Sequence, residues 1–250
     1  MIRNKKVIVV LPAYNAEKTL AQTYREIPLD IVDKVILVDD ASRDKTINVA
    51  KEIGLEVIIH PTNLGYGGNQ KTCYSAALKE GADIIIMLHP DYQYTPKLIP
   101  AMAYLVESGL YDVVLGSRIL EGTATRHGMP LYKYISNRVL TFLQNLLMGS
   151  KISEYHTGYR AFNRKVLEKI PWQGNSNDFV FDNQILSQSL FAGFRVGEIS
   201  CPAKYFPEAS SINFRRSVKY GLGCLFTAIQ FRLNKWGIKK FKIFKAINFG

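Results

Sequence analysis

Cysteine is scarce in this sequence, and long hydrophobic runs are missing. The three cysteines, Cys73, Cys201 and Cys224, are widely spaced and form neither a disulfide framework nor a CxxC motif, so we expect a reducing, cytosolic compartment. The longest uncharged stretch near the end, residues 220–231, falls short of the roughly 18–20 residues that span a bilayer. The first six residues, MIRNKK, lead straight into a short apolar run and a proline, and this pattern predicts no signal peptide.

Acidic residues are absent after Glu208. Nine lysines and arginines occupy the last 42 residues, so most of the formal net charge of +11 lies there and the remainder is nearly neutral. This distribution argues against a general nucleic-acid binder and favours a basic appendage. The length of 250 residues, with 47% hydrophobic residues, suits one large folded domain with a tail.

Short apolar runs alternate with amphipathic segments. The runs lie near residues 7–11, 35–38, 56–59, 84–88 and 113–115, and helices are predicted near 18–27, 45–53, 68–80 and 96–108. Runs of β-branched residues that are apolar throughout are typical of strands buried on both faces of a parallel sheet. The pattern predicts a mostly parallel α/β sheet flanked by helices. Further helices are expected near 131–147 and 182–192, and a strand near 196–200.

Polar residues follow each predicted strand, where open parallel sheets bind their ligands. Asp39 and Asp40 end the second strand, and two adjacent carboxylates repel each other unless a polar or cationic group is bound. Carboxylates at this position accept hydrogen bonds from ribose hydroxyls or a base edge, so the pair predicts nucleotide contact. Capping of the next helix accounts for Ser42 or Asp44 but not for the pair.

Asp91 and Gln93 follow the fourth strand. A carboxylate and an amide oxygen two residues apart offer two hard oxygen ligands to Mg²⁺ or Mn²⁺, with substrate phosphates completing the shell. The alternative is a loop that caps the helix starting near Thr95. His89 is either a further ligand or a structural residue.

A glycine-rich turn at residues 63–68 has the composition of a phosphate-binding loop. It lacks the lysine of a P-loop and the spacing of a dinucleotide fingerprint, so a tight turn between strand and helix is the alternative. Arg118 and Lys204 can each neutralise a phosphate, although single basic residues are usually only solvated.

Five ordered motifs carry a family likeness. They read VLPAYN, VDDAS, NLGYG, DYQ and GSR, at residues 10–15, 38–42, 63–67, 91–93 and 116–118. With HTGYR, FDNQ and YFPEASSI at 156–160, 181–184 and 205–212, the chain resembles the family two glycosyltransferases with the GT-A fold. The most similar branch is that of the dolichol-phosphate mannose synthases and polyprenyl-phosphate glycosyltransferases. The resemblance implies transfer of a sugar from a nucleotide diphosphate sugar with inversion at the anomeric carbon.

The resemblance also implies roles for individual residues. The nucleotide-binding residues would be Pro12, Ala13, Tyr14, Glu17, Asp39, Asp40, Asn63 and Gly67. Asp91 and Gln93 would bind Mg²⁺ or Mn²⁺, and Arg118, Ser136 and Lys204 would hold the acceptor phosphate.

Three positions depart from the family pattern. His89 replaces the first aspartate of the metal motif, Lys204 replaces a common arginine, and Ala16 replaces an acidic residue for which Glu17 is the neighbouring substitute.

These roles predict an inverting glycosyltransferase that uses a nucleotide sugar, UDP favoured over GDP, and a polyprenyl phosphate acceptor. A phosphate acceptor needs no base, whereas a glycan hydroxyl, the alternative acceptor, requires one, and Asp182 is the candidate. A nucleotidyltransferase would need a basic glycine-rich loop near residue 12, which is lacking. A catalytically silent nucleotide-sugar binding module is a further alternative.

Residues 1–212 are predicted to form the catalytic domain and residues 213–250 a basic amphipathic helical tail. The tail interleaves its basic residues with aromatic ones: Phe226, Phe231, Trp236, Phe241, Phe244 and Phe249. This pattern is typical of helices that lie on anionic membranes, and it predicts a peripheral protein at the inner membrane face. Alternatively, these aromatic residues pack on the domain or form a seam between two copies of the chain.

Overall fold

The chain folds into a seven-stranded sheet flanked by helices. The structure is a computed structural model that describes residues 2–122, 124–202 and 214–245. The strands are β1 Val7–Ala13, β2 Lys34–Asp39, β3 Glu56–Ile59, β4 Ile84–Met87, β5 Val113–Ser117, β6 Arg160–Asn163 and β7 Val196–Ser200. The helices are α1 Leu20–Arg25, α2 Thr46–Glu52, α3 Tyr66–Lys79, α4 Ile99–Glu107, α5 Leu131–Met148, α6 Arg164–Lys169, α7 Phe181–Phe191 and α8 Phe214–Lys235. Short 3₁₀ turns occupy Pro96–Leu98, Trp172–Gly174 and Lys242–Phe244.

The strand order is β3-β2-β1-β4-β6-β5-β7, and only β6 is antiparallel to its neighbours. The predicted mostly parallel α/β sheet is therefore confirmed. The sequence did not predict β6, because this strand has only four residues and begins with a charged one, Arg160. Its pairing with both β4 and β5 places Arg160, the last residue of the motif at 156–160, in the middle of the sheet.

Strand β1 explains why two cores form. Ile8 and Val10 face a first core shared with α3, α6, α7 and α8, whereas Val7, Val9 and Leu11 face a second core shared with α1, α2 and α4. Successive side chains of a strand point to opposite faces, so an uninterrupted apolar run is satisfied only when both faces are covered.

The register brings the predicted functional loops to one edge. Ala13 pairs with Asp39, and Asp39 pairs with Ile59, so β1, β2 and β3 end side by side. The antiparallel β6 starts at this edge, where Arg160 pairs with Met87 at the end of β4.

The described part of the tail packs on the sheet domain. Helix α8 lies against α5 and α7, and Phe231 and Phe244 are buried in the first core. For these two aromatic residues the expectation of a membrane-facing position is wrong, because they pack edge-to-face and tilted against Phe191. Phe226 and Trp236 are exposed. Lys204, Phe249 and the motif at 205–212 lie outside the described residues.

The helices of the described ranges are either too short or too polar to cross a bilayer.

Candidate active site

Asp39 and Asp40, the predicted nucleotide contacts, have different surroundings. Asp39 is buried; its Oδ2 accepts from the amide of Ser42 at 2.9 Å, and its Oδ1 has no hydrogen-bond partner among the described residues. Asp40 accepts from His60 Nδ1 at 2.8 Å and from the amides of Leu64 and Gly65 at 2.8 and 3.0 Å. Asp40 therefore holds the loop after β3 in place, while Asp39 keeps an unused acceptor.

The loop after β1 is tied to the loop after β2. The Asn15 amide donates to Ser42 Oγ at 2.9 Å, and the Arg43 amide donates to Asn15 Oδ1 at 2.9 Å. Glu17 Oε2 accepts from the Lys45 amide at 2.8 Å, so this carboxylate caps the start of α2. Pro12 and Ala13 are buried within β1, and the Tyr14 side chain is 48% exposed. Nucleotide contact by Pro12, Ala13, Tyr14 and Glu17 stays a prediction.

The glycine-rich turn packs against the segment before α7. The Gly67 amide donates to the carbonyl of Asn177 at 2.8 Å, and a Cβ on Gly67 would lie 2.5 Å from the carbonyl oxygen of Ser176. Asn63 Nδ2 donates to the carbonyl of Asp40 at 3.1 Å. The tight-turn alternative explains these contacts, and nucleotide binding by Asn63 and Gly67 stays a prediction.

The loop after β4 carries the predicted metal ligands. The Gln93 amide donates to Asp91 Oδ1 at 3.2 Å, and Tyr92 between them has φ 58°. Asn15 and Ala41, in the loops after β1 and β2, also have positive φ, of 53° and 58°. Left-handed backbone at non-glycine residues is strained, and such strain concentrates at functional sites. Within the described ranges, no group of three or more His, Cys, Asp or Glu side chains has metal-binding geometry.

A cleft of about 770 Å³ unites one set of predicted residues. It is lined by Asp91, Gln93, Arg118, Ser136 and Asp182, together with His89. The predicted nucleotide-binding residues are not among its lining: Pro12, Ala13, Tyr14, Glu17, Asp39, Asp40, Asn63 and Gly67. The predicted metal and acceptor residues with described positions thus share one space, and the predicted nucleotide residues occupy neighbouring strand ends.

Arg118 is fixed by a buried carboxylate. Its backbone amide and Nε donate to Glu154 at 2.7 and 2.9 Å, and its guanidinium donates to the carbonyl of His156. Burial acts to raise the pKa of Glu154, but the Arg118 charge and its hydrogen bonds outweigh that effect and lower the pKa. Much of the Arg118 charge is thereby compensated within the protein. Lys133, which also lines the cleft, has a pKa lowered by burial and by the nearby Arg118.

Asp182 is the second residue of α7 and lines the cleft. Its Oδ2 accepts from the Tyr66 hydroxyl at 2.6 Å, and its Oδ1 accepts from Gln70 Nε2 at 3.0 Å. The wholly buried Arg160 donates to its backbone carbonyl. Asp182 is therefore an oriented carboxylate with both oxygens already engaged.

Sequence reasoning missed several cleft residues. Tyr66 belongs to the quoted motif at 63–67, yet only folding brings its hydroxyl to Asp182. His156 begins the motif at 156–160, and the sequence alone indicates no role for it. Its Nδ1 lies 2.8 Å from the Tyr220 hydroxyl of α8, and its Nε2 has no partner among the residues described. Burial, with smaller contributions from Arg118 and Arg160, lowers the pKa of His156 to about 4 although Glu154 opposes this.

An apolar face extends from the cleft along α5 and α8, which pack against each other. Large apolar side chains at helical spacing are exposed on both helices: Leu131, Tyr132, Ile135, Val139, Phe142 and Leu146 on α5, and Val218, Leu222, Phe226 and Ile229 on α8. Tyr132, Ile135 and Val139 form one wall of the cleft, and Val218 and Leu222 form the other. The cleft therefore has a polar floor and apolar walls that continue onto this apolar face.

Comparison with known proteins agrees with the fold and the motifs. Residues 8–171 match Glycosyl transferase family 2, so the chain belongs to this family and is a glycosyltransferase. An uncharacterized protein of Methanocaldococcus jannaschii is 30% identical over 91% of this chain and 93% of its own length. The UDP-N-acetylglucosamine–dolichyl-phosphate N-acetylglucosaminyltransferase of Methanococcus voltae is 26% identical over 93% of this chain and 98% of that enzyme. The dolichyl-phosphate hexose transferase of Haloferax volcanii is 29% identical over 78% and 81%, respectively.

The solved structures show the same architecture. Glucosyl-3-phosphoglycerate synthase from Mycobacterium tuberculosis, in complex with Mn²⁺, UDP and glucosyl-3-phosphoglycerate, superposes with a TM-score of 0.68. The match covers 95% of this chain and 82% of that chain at 18% identity. The predicted GT-A fold is confirmed.

Proposed function

We propose that this glycosyltransferase moves a sugar from a nucleotide diphosphate sugar, with UDP favoured, to a polyprenyl phosphate at an anionic membrane surface, inverting the anomeric carbon. The observation that carries the proposal is the cleft with its polar floor and apolar walls. A polyprenyl phosphate has a charged head and a long apolar chain, and this cleft offers complementary surroundings to each. The names of the M. voltae and H. volcanii relatives, both acting on dolichyl phosphate, support this acceptor class.

The donor nucleotide is assigned to the strand ends beside the cleft. Asp39 Oδ1 is a buried acceptor without a partner among the residues described, and such an atom costs free energy until a donor reaches it. A ribose hydroxyl or the N–H of a uracil ring supplies that donor. The solved M. tuberculosis synthase binds UDP on the same fold, which supports UDP over GDP.

The acceptor phosphate is assigned to the cationic side of the cleft. Because Glu154 compensates much of the Arg118 charge, Lys133 supplies the additional positive charge for a phosphate, with the Ser136 hydroxyl as a hydrogen-bond donor. The lowered pKa of Lys133 indicates an unfavourable environment for its charge, which an anionic ligand would relieve. Lys204 keeps its predicted part in this site.

Asp91 and Gln93 suit a divalent cation. Both line the cleft and follow one strand, and carboxylate and amide oxygens are the ligands that Mg²⁺ and Mn²⁺ prefer. When bound, such an ion neutralises the negative charge that develops on the departing nucleotide diphosphate. The protein's part is to hold donor and acceptor in line within the cleft, so that binding energy orients the reacting atoms.

In the transfer step an acceptor phosphate oxygen forms a bond to the anomeric carbon from the face opposite the leaving group. The bond between that carbon and the donor phosphate oxygen breaks, and UDP leaves with the electron pair. No proton has to be removed from a phosphate that is already ionised. This agrees with Asp182, whose oxygens accept from Tyr66 and Gln70 rather than standing ready as a base.

The enzymatic test uses the full chain with a short polyprenyl phosphate in detergent micelles, a panel of UDP- and GDP-sugars, and Mn²⁺ or Mg²⁺. A glycosylated lipid phosphate and free UDP are expected, and Asp91→Ala should abolish turnover while the protein stays folded. Product formed only with a glycan hydroxyl acceptor would refute the acceptor assignment. Donor binding without transfer or hydrolysis would indicate the silent binding module.

The membrane surface is assigned to the apolar face of α5 and α8. The same helices carry Arg138, Arg215, Lys219 and Arg232, and each basic residue near anionic lipid contributes about 1 kcal/mol. An apolar helical face flanked by basic residues is the pattern of proteins that lie in the membrane interface. Phe226, which is exposed on this face, is one of the tail residues predicted at the membrane.

A sedimentation assay with anionic liposomes tests this assignment. Leu222→Glu on the apolar face should reduce binding at least tenfold. Leu110→Glu, just before β5 and away from that face, should leave binding unchanged, although Leu110 is exposed to the same extent (63% against 64%). Equal binding by both variants would remove the apolar face from the membrane contact.

A further inference from the structure

The hydrogen bonds around His89 determine which of its ring nitrogens carries a proton. The Tyr66 hydroxyl has a single proton, and it donates that proton to Asp182 Oδ2 at 2.6 Å. The 3.0 Å contact between Tyr66 Oη and His89 Nε2 must therefore be donated by the histidine. A neutral His89 with its proton on Nε2 has a lone pair on Nδ1, which makes no hydrogen bond to any residue that the structure describes.

Gln70 is a second donor to Asp182. Its Nε2 donates to Asp182 Oδ1 at 3.0 Å, and its Oε1 accepts from the Tyr74 hydroxyl at 3.3 Å. Asp182 receives two donors and lies in the first turn of α7, where the helix dipole favours negative charge. Asp182 thus accepts a hydrogen bond at each of its two oxygens.

Packing fixes the orientation of the His89 ring. The ring stacks on Tyr66 with centroids 5.3 Å apart and an interplanar angle of 9°. On the Nε2 side, a Cβ on Gly158 would lie 2.6 Å from Nε2, so this edge of the ring is closed off by backbone. The Nδ1 edge is the opposite one, and His89 lines the same cleft as Asp91 and Gln93.

We propose that His89 binds the divalent cation through Nδ1, beside the oxygens of Asp91 and Gln93, and that Tyr66 and Asp182 are positioning residues that hold its tautomer. The inference rests on the proposed function, which supplies the cation. Histidines that bind metals commonly donate their other N–H to a hydrogen-bonded partner, as His89 does to Tyr66. An imidazole ligand in place of a carboxylate shifts preference from Mg²⁺ toward Mn²⁺ and other transition metals.

The test is pulsed electron paramagnetic resonance of the full chain with Mn²⁺ and UDP, which detects ¹⁴N coupling from a directly bound imidazole. Coupling is expected in the wild type, should vanish in His89→Gln and should persist in His127→Gln, a matched change at an exposed histidine. Tyr66→Phe removes the acceptor of the His89 N–H and should keep the coupling while weakening Mn²⁺ binding about tenfold in calorimetry.

The outcomes separate this inference from the proposed function. Mn²⁺ that binds with UDP but shows no nitrogen coupling overturns the role of His89 alone. Failure of the wild type to bind Mn²⁺ at all overturns both. A further variant, His89→Asp, restores an oxygen ligand at a position that accommodates an acidic residue in the family pattern. It should bind Mn²⁺ without nitrogen coupling and show a stronger relative response to Mg²⁺; unchanged coupling in this variant contradicts the assignment.

Discussion

The buried imidazole of His156 makes an unusual contribution to the pH dependence of stability. Burial lowers its pKa to about 4 in the folded protein, whereas an unfolded histidine titrates near its ordinary value of 6.5. Between these two values the unfolded chain binds a proton that the folded chain does not. Stability contributed by the neutral imidazole is therefore complete above pH 6.5 and is lost as the pH falls toward 4.

The magnitude follows from the gap between the two pKa values. At about 1.4 kcal/mol per pH unit, wild-type protein should lose about 2.5 kcal/mol through this group between pH 7.5 and pH 4.5. His156→Gln removes the titrating ring and should lower the pH dependence of the unfolding free energy by that amount. Urea unfolding of both proteins at the two pH values measures the difference.

The control for this prediction is the exposed His127. His127→Gln should lose stability in parallel with the wild type, because the carboxylates that titrate in the same range are common to all three proteins. Parallel curves for the wild type and His156→Gln would refute the reasoning, since the imidazole would then be protonated without cost in the folded state.

Two further predictions concern buried groups. Glu154→Gln leaves the Arg118 guanidinium without its charge partner and should cost about 3–5 kcal/mol in urea unfolding; a loss below about 1 kcal/mol would contradict the role given to this pair. Phe231→Ala empties a site in the first core and should cost about 3–5 kcal/mol, while Phe226→Ala, 59% exposed on the same helix, should change stability by less than about 0.5 kcal/mol. Similar melting temperatures for both phenylalanine variants would show that α8 is not packed as described.

Local pattern was enough to predict most of the sheet. Buried strands such as β1 are apolar at every position, and this property is visible without tertiary information. The position of Asp91 and Gln93 after a strand likewise placed them at the edge where ligands bind. β6 escaped prediction because Arg160 is charged, and its burial is compensated by carbonyl groups, including those of Tyr155 and Thr157, that only the fold brings to it.

The candidate site was less accessible to sequence reasoning where it depends on packing. Asp40 pairs with His60, and Arg118 pairs with Glu154. The partners are distant in the sequence and follow no recognisable spacing pattern, so only the fold shows that they are in contact. Helix α8 illustrates the same limit: its alternation of aromatic and basic residues suggested a surface helix, yet Phe231 points into the core. Periodicity shows that a helix has two faces but not which of them meets the protein.

The two walls of the cleft come from α5 and α8, which are separated by more than sixty residues of chain. During synthesis α5 leaves the ribosome well before α8, so the cleft does not exist on the nascent protein until α8 has been made. Until α8 docks, the side of α5 that it later covers is exposed along with the apolar face. A nascent chain that stalls before residue 214 would therefore expose more of the apolar surface of α5 than the complete fold does. Until α8 is made, that surface could be covered by a chaperone or by the membrane.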